Sequence, residues 1–596
     1  MVMPEEMKNM LWFPREMKLL CAALLLAPCF TVRAADTLVV DTPLAPPAWA
    51  LAEQELLRAG ADGVEAFFHR YFDERGYLQC VERWGGNDGP DDAMENLNTW
   101  TLLYALGADE SVYQYYKRAW EGHILQYTEA RIPEIEMVKD GMYWREFPTA
   151  FDWEHNGEGL AAFYFAGLGK PDDPVYRKRM ERFARFYTGE DLYADNYDAE
   201  KKIIRSLHNG SRGSKITHAT EMDWGGLPVE SDPERLIRYS TAGNIRGDHP
   251  LNLCAATLGM KAYMLTRDEK YKKWLLEYVS AWRDRILQNG GKIPTNIGLD
   301  GKIGGEWGGK WYGGTFGWNF WPQSSSRNYY MRGPRLALGE ALMLTGDLGF
   351  VEPLRRQINN LYAVQKVENG RILLPNKHGD DGWYGYTRNQ HFDVQQDIYL
   401  WSMDPKDKER IKDSPWIAYL DGRDPDYPLK ALQQDLQSVR RRVAGLHADT
   451  SSPDMRGSDT SQRYNPAVTD ALINLTLGGN SPGNSGNVLH SRVRYFDRTK
   501  RRAGLPQDVG ALVSKITPDG ITLTLVNTNP IESRSLVVQA GAYAEHHFGD
   551  VKVGSQDVPV DSRDFSVRLE PGSGTTMTIA IRRFAHQPTM AFPWNR

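Results

Sequence analysis

Six short stretches of this chain carry polar and aromatic residues in excess of what helix capping requires. The first is Trp84-Gly85-Gly86-Asn87-Asp88, followed by Glu95, Asn96 and Asn98. The second runs Asp152-Trp153-Glu154-His155-Asn156-Gly157-Glu158, and the third Asn244-Ile245-Arg246-Gly247-Asp248-His249, then Asn252. The fourth holds Trp318-Asn319-Phe320-Trp321 and Arg327-Asn328-Tyr329-Tyr330-Met331-Arg332. The fifth is Trp383-Tyr384-Gly385-Tyr386-Thr387-Arg388-Asn389-Gln390-His391, and the sixth Arg463-Tyr464-Asn465. Histidine, tyrosine and carboxylates are the groups that move protons near neutral pH, given the right surroundings. Each stretch precedes an alanine- and leucine-rich run that reads as a buried helix. Free amides and the helix dipole at such an N-terminus favour an anion, arginines reinforce that preference, and tryptophans offer faces for sugar rings.

Each feature also has a plainer reading. Asp152 and Asp248 are ordinary helix caps by type, and His155 and His249 taken singly are hydrogen-bonded structural histidines. Their matching placement before two inner helices is what raises them to candidates. The run Gly304 to Trp321 holds Trp307, Trp311, Trp318 and Trp321 among glycines. It reads as a groove wall, because glycine lets backbone approach a ligand closely, with a rigid packed loop as the alternative. Asn87-Asp88-Gly89-Pro90-Asp91-Asp92 has the carboxylates for a structural calcium but not the spacing of an EF-hand, so a solvated turn is favoured. The sequence contains no nucleotide-binding loop and no His-Glu-x-x-His. No cofactor or catalytic metal is expected.

The elements that must position these groups repeat along the chain. A small-residue helix ends in a turn with aspartate, and an aromatic residue opens the next helix. This occurs at Leu106-Gly107-Ala108-Asp109, Leu168-Gly169-Lys170-Pro171-Asp172-Asp173, Leu265-Thr266-Arg267-Asp268 and Leu344-Thr345-Gly346-Asp347. Glycine or proline stops one helix, and aspartate caps the free amides of the next. Helical hairpins of this kind bury their faces only against neighbours. The fold class is therefore mainly α: about six hairpins closed into an (α/α) toroid over residues 36–478, with an open solenoid as the alternative. In such a ring the inner-helix N-termini converge on one mouth.

The rest of the chain differs in composition. Residues 479–487, Gly-Asn-Ser-Pro rich, read as a linker. Residues 488–596 alternate in the manner of strands, as in Ile521-Thr522-Leu523-Thr524-Leu525-Val526, and predict a small C-terminal antiparallel β-sandwich. At the other end, Lys18 precedes the apolar run Leu19–Ala27, and Val32-Arg33-Ala34 offers a cleavage site. Residues 1–35 therefore read as a signal peptide, and the destination as periplasmic or secreted. Beyond it only Cys80 and Cys254 remain, as one disulfide or two thiols. The 596 residues are 41% hydrophobic with a net charge of -6, which argues against nucleic acid as a partner. No stable membrane insertion is expected, and the sequence does not decide the oligomeric state.

The helical repeats, the clusters such as Asp152-Trp153-Glu154-His155-Asn156-Gly157-Glu158-Gly159 and the trailing β-domain together resemble the α/α-toroid carbohydrate-active enzymes. These include toroid polysaccharide lyases and six-hairpin glycosidases, and the resemblance covers most of the mature chain. It implies an acidic poly- or oligosaccharide substrate and one of two mechanisms. In a lyase, His155, Asn156 and His249 would surround the uronate carboxylate, and Tyr312, Tyr330 or Tyr386 would act as base or acid. Arg246, Arg327 and Arg388 would hold the anionic sugar, alongside Trp307, Trp311, Trp318, Asn389 and His391. In a uronyl-specific hydrolase two carboxyl groups would flank the bond, drawn from Glu95, Glu154, Glu158, Asp223, Asp248 and Glu306. β-Elimination is the favoured reading, because tyrosine, histidine, asparagine and arginine recur together in the third to fifth clusters. A glycan-binding protein without activity is the alternative from another class.

Overall fold

The computed structural model describes residues 37–80, 89–130, 157–190, 196–205, 247–305, 308–313 and 331–596. The expected signal segment lies outside them. Apart from the short helices Gly89–Glu95, Pro405–Lys408 and Pro415–Leu420 and single 3-10 turns, the described helices follow one another as pairs: α1 (Ala48–Tyr71) with α2 (Trp100–Leu106), α3 (Glu110–Ala130) with α4 (Ala161–Gly169), and α5 (Pro174–Arg185) with α6 (Ala256–Thr266). The series continues with α7 (Glu269–Gln288) and α8 (Arg332–Thr345), α9 (Glu352–Ala363) and α10 (Phe392–Ser402), then α11 (Tyr427–Ala448) and α12 (Asp470–Leu472). A π turn, Ile473–Leu477, extends α12.

Odd and even helices differ in kind. The odd ones are amphipathic: α7 buries Tyr271, Trp274, Leu275, Tyr278, Val279, Trp282 and Ile286 at three- and four-residue spacings and turns the rest outward. The even ones are enclosed. Every residue of α2 and α4 is buried, and so is α6 from Ala256 to Leu265. Even helices pack on one another through small groups, as where Thr101 Oγ1 donates to the Ala162 carbonyl at 2.7 Å. The first and last odd helices also meet. Arg440 pairs with Glu55, Arg70 donates to the carbonyls of Asp449 and Ser451, and Gly63 lies against Pro466 and Val443.

The aspartate turns cap as their chemistry requires. Asp109 accepts from Ser111 N, Asp173 from Val175 N and Tyr176 N, Asp268 from Lys270 N and Asp347 from Gly349 N, at 2.8–3.1 Å. The preceding helices end in left-handed residues, Gly346 at φ 69° and, less usually, Arg267 at φ 64°.

The C-terminal portion carries two five-stranded sheets. One has the order β1-β14-β11-β7-β8 and the other β13-β12-β15-β10-β9. The strands are β1 (Leu38–Val40), β7 (Val493–Asp497), β8 (Arg502–Ala503), β9 (Val509–Thr517), β10 (Gly520–Asn527), β11 (Arg534–Ala540), β12 (His547–Val553), β13 (Gln556–Ser562), β14 (Asp564–Leu569) and β15 (Gly574–Arg582). Strand β1 precedes all the helices yet pairs in parallel with β14, Leu38 opposite Val567. A ribbon β2–β3 (Tyr197–Asp198, Ile203–Ile204) and a three-stranded sheet, β4 (Lys366–Glu368), β5 (Arg371–Gly379) and β6 (Gly382–Thr387), rise from loops between helices.

One hydrophobic core runs from the helices into these C-terminal sheets, joining residues such as Leu103 and Leu265 to Val513 and Leu525. The polar seam is equally continuous. The carbonyls at the C-terminal ends of all six even helices accept hydrogen bonds from residues beyond 488. Arg502 serves Tyr104 and Ala108, Arg494 serves Leu168, and the Met590 amide serves Met264. Gln587 serves Leu344, Arg492 and Arg583 serve Leu400 and Trp401, and the Tyr495 hydroxyl serves Thr476. Buried helix ends need such partners, and cations there complement the dipole. Neither Cys80 nor Cys254 is disulfide-bonded. Among the described residues no helix is long and apolar enough to cross a membrane.

Candidate active site

With their C-termini capped on the sheet side, the even helices present their N-termini away from it. Two of these N-terminal ends, those of α8 and α10, meet at a cavity of about 390 Å³. Met331, Arg332 and Arg335 come from the start of α8, and Asn389, His391, Asp393 and Val394 from the start of α10. Asn376 reaches it from β5, and Pro482, Gly483, Asn484, Ser485 and Asn487 complete the wall. Gly157, just before α4, lies against Cys254, just before α6, and against Ser485. Gly333 is where α8 meets the approach to α6: a Cβ there would run into the Pro250 carbonyl.

The charges of the cavity are paired. Arg332 donates to Glu158, whose side chain is 13% exposed. Arg335 bridges Asp393 at 2.6 Å and the buried Asp397 on the same face of α10, and Asn480 donates to Asp397 from the opposite side. His391 adopts a left-handed conformation, φ 55°, fixed by its amide donating to Asn389 Oδ1 at 2.9 Å. Burial pushes its imidazole down from the ordinary histidine value, against the pull of Asp393, which favours the neutral ring. A neutral imidazole accepts a proton, and the neighbouring amides and guanidinium groups are donors. Among the described residues no group of three ligating side chains could hold a metal ion.

The sequence candidates distribute unevenly around this cavity. Asn389 and His391 line it, and Glu158 joins it through Arg332. His249 and Asp248 are enclosed with no exposed surface. Asp248 is a structural anchor and not a free carboxylate: it accepts from five donors, Ile204 N, His249 N, Asn252 Nδ2, Tyr278 Oη and Trp282 Nε1. Arg388 is exposed and is not among the residues lining this cavity.

Two tyrosines require correction. Tyr386 pairs across the hairpin with Pro375, whereas Asn376 shares its face with Leu374 and His378. Strand alternation therefore turns Tyr386 away from the cavity side, where its hydroxyl donates to the Val364 carbonyl at 3.1 Å. Tyr312 donates to Asp380 at 2.7 Å, and that bond pushes its phenol up instead of favouring tyrosinate. Trp311 and Tyr312 both pack against His378, with ring centroids 4.6 Å apart in each case. His155, Asn156, Arg246, Trp307, Trp318, Arg327 and Tyr330, with Glu154, Asp223 and Glu306, lie outside the described residues. So do the side chains of Asn87 to Asp91, the calcium candidate.

The residues that sequence reasoning missed are Arg335, Asn376, Asp393, Asn484 and Asn487. Arg335 carried a usable signal, since it falls one turn after Arg332 at a helix start and Asp393 and Asp397 are spaced to receive it. The asparagines of 484–487 sit in a composition that reads only as linker.

No curated protein sequence matches the chain. Among solved structures, the cellobiose 2-epimerase from Bacillus thermoamylovorans shares 10% identity over 63% of this chain and 84% of its own, with a TM-score of 0.35. A GH127 β-arabinofuranosidase shares 9% identity over 91% of this chain and 82% of its own, with a TM-score of 0.29. Likenesses this weak fix neither fold nor activity. A family profile, by contrast, matches residues 37–414 and 406–473, and the chain belongs to that family, the Domain of unknown function (DUF8034).

Proposed function

We propose that the protein is an exported carbohydrate-active enzyme, its six helix pairs closed into an α/α toroid backed by a β-sandwich. Its site is the cavity at the N-termini of α8 and α10. Closure is supported by the packing of α1 on α11, and export by the segment from Lys18 to Ala34. The observation that carries the chemistry is His391, a neutral imidazole held in a left-handed turn beside asparagines and arginines. This set suits β-elimination from a uronate-containing glycan. His391 would take the C5 proton, the C4–C5 double bond would form as the C4–oxygen bond breaks, and the departing oxygen would take a proton from the His391 imidazolium so formed. The amides of Asn376, Asn389, Asn484 and Asn487 would meet the sugar carboxylate and lower the cost of the carbanionic transition state.

A second reading rests on a separate observation. Arg332 and Arg335 are both already joined to carboxylates, so the described residues of the cavity wall offer no surplus cation for an acidic sugar. Glu158 and Asp393 then become the carboxyl pair of a glycoside hydrolase acting on a neutral sugar. Incubation with a panel of uronate and neutral polysaccharides separates the two. Ultraviolet absorbance from a new conjugated C4–C5 double bond, lost in His391→Gln, supports elimination. New reducing ends without that absorbance, lost in Glu158→Gln, refute it and support hydrolysis. Binding without any product refutes both and leaves a glycan-binding protein.

A further inference from the structure

The first and last helix pairs meet over a second cleft, of about 650 Å³, which the chemistry above does not use. Its walls come from Asn98 and Thr99 before α2, and from Arg442 and residues 459–470 between α11 and α12. Two features of the walls are costly without a purpose. Thr99, a β-branched residue, sits at φ 70°, a region such side chains rarely enter. The conformation is held by bonds across the seam: Thr99 Oγ1 donates to the Ala467 carbonyl at 2.6 Å, and Asn465 Nδ2 to the Asn98 carbonyl at 2.8 Å. Next to it, Asn98 Oδ1 is buried with no donor. The side chain therefore gains a hydrogen bond by turning toward a hydroxyl brought into the cleft.

The lining indicates the class of ligand. Thr460 supplies a hydroxyl, Thr99 and Gln462 keep their oxygens as acceptors while their donors are spent on Ala467 and Glu95, and Arg442 and Arg463 are balanced by Asp459 and Asp470. A wall with mixed donors and acceptors and no net charge recognises hydroxyls, not an anion. We propose that this seam cleft is a binding site for an uncharged saccharide, distinct from the first cavity and independent of the reaction performed there. A ligand seated in it touches both ends of the helical series, so it also stabilises their closure.

The test is isothermal titration of the full-length protein with xylotriose, cellotriose and maltotriose, and with a trigalacturonate as the charged control. At least one neutral trisaccharide is expected to bind with little dependence on salt and to raise Tm. Thr460→Val and Arg463→Ala, both at accessible positions, should each weaken that binding about tenfold, and Asn389→Ala in the first cavity should leave it intact. Circular dichroism establishes that the variants are folded. Failure of every neutral trisaccharide to bind overturns the proposal. Binding abolished by Asn389→Ala but untouched by Thr460→Val overturns it as well. Preferential, salt-sensitive binding of the trigalacturonate refutes the uncharged class.

Discussion

Replacing Glu340 by glutamine should stabilise the protein increasingly as pH rises. Glu340 lies on α8 with no exposed surface, and its Oε1 accepts from Thr257 Oγ1 at 2.8 Å. On the adjacent α6, Lys261 is equally enclosed and donates to the Tyr543 hydroxyl at 2.9 Å. Burial pushes the Glu340 carboxyl up to about 8 and the Lys261 ammonium down to about 7. A carboxyl raised in the folded state contributes stability that is complete below its ordinary range and is lost as pH rises to about 8. At roughly 1.4 kcal/mol per pH unit, the loss between pH 5 and pH 9 is on the order of 4–5 kcal/mol. Glutamine has no proton to lose, so Glu340→Gln should match the wild type within about 1 kcal/mol at pH 5 and exceed it by several at pH 9. Lys261 adds a trend of the same sign. Its lowered value means that stability falls as pH drops through about 7, and losing the neighbouring carboxylate lowers it further. Urea unfolding followed by tryptophan fluorescence at pH 5, 7 and 9 measures the difference. A gap between the two proteins that does not change with pH would refute the reasoning.

Three further outcomes are expected. His391→Gln should abolish turnover of whichever uronate glycan the wild type cleaves. The wild-type rate should hold through neutral pH and fall only on the acid side of the ordinary histidine range, as measured by a pH–rate profile. Gly333→Ala should lower stability by about 1–3 kcal/mol in thermal melts, because the new methyl meets backbone at Pro250 and not a movable side chain. Arg494→Met should cost about 3 kcal/mol in denaturant titrations, since the carbonyls of Leu168 and Ala542 would lose a charged donor in a closed interior.

The parts of this fold legible in the sequence are those governed by neighbours along the chain. Asp109, Asp173, Asp268 and Asp347 announced helix starts because an aspartate cap acts on amides two or three residues away. The enclosed helices α2, α4 and α6 announced themselves by being largely apolar, and Asn389 and His391 by standing just before α10. What escaped depends on contacts distant in sequence. Strand β1 joins a sheet whose partner strand is more than five hundred residues away, so Leu38–Val40 carried no mark of its role. Asn484 and Asn487 look like linker because composition records flexibility, not what a loop is folded against. Tyr386 was misread for a geometric reason: one step along a strand reverses a side chain, and the register with Pro375 is set by the hairpin. Asp248 was ambiguous because a saturated anchor and a catalytic carboxylate share the same letter. Only the donors around it separate them.

The capping of the even helices bears on where chemistry can occur. A set of enclosed helices has two ends, and in the abstract either could hold a site. Here the C-terminal face is closed by Arg492, Arg494, Arg502, Arg583, Gln587 and Tyr495, each spending its donors on helix carbonyls. Those donors cannot serve a substrate without uncapping a buried helix, which would cost about 1–3 kcal/mol for each carbonyl left unpaired. The sheets therefore do more than cover the helices. By satisfying one end of every enclosed helix they commit that face to stability, and they leave the N-terminal ends, with amides and dipoles directed outward, as the face free to bind. Both cavities described above open there, at the starts of α8 and α10 and at those of α2 and α12. The arginines are thus divided by fold position: Arg492, Arg494, Arg502 and Arg583 are structural cations at helix C-termini, whereas Arg332, Arg335, Arg442 and Arg463 line the two cavities at the opposite ends.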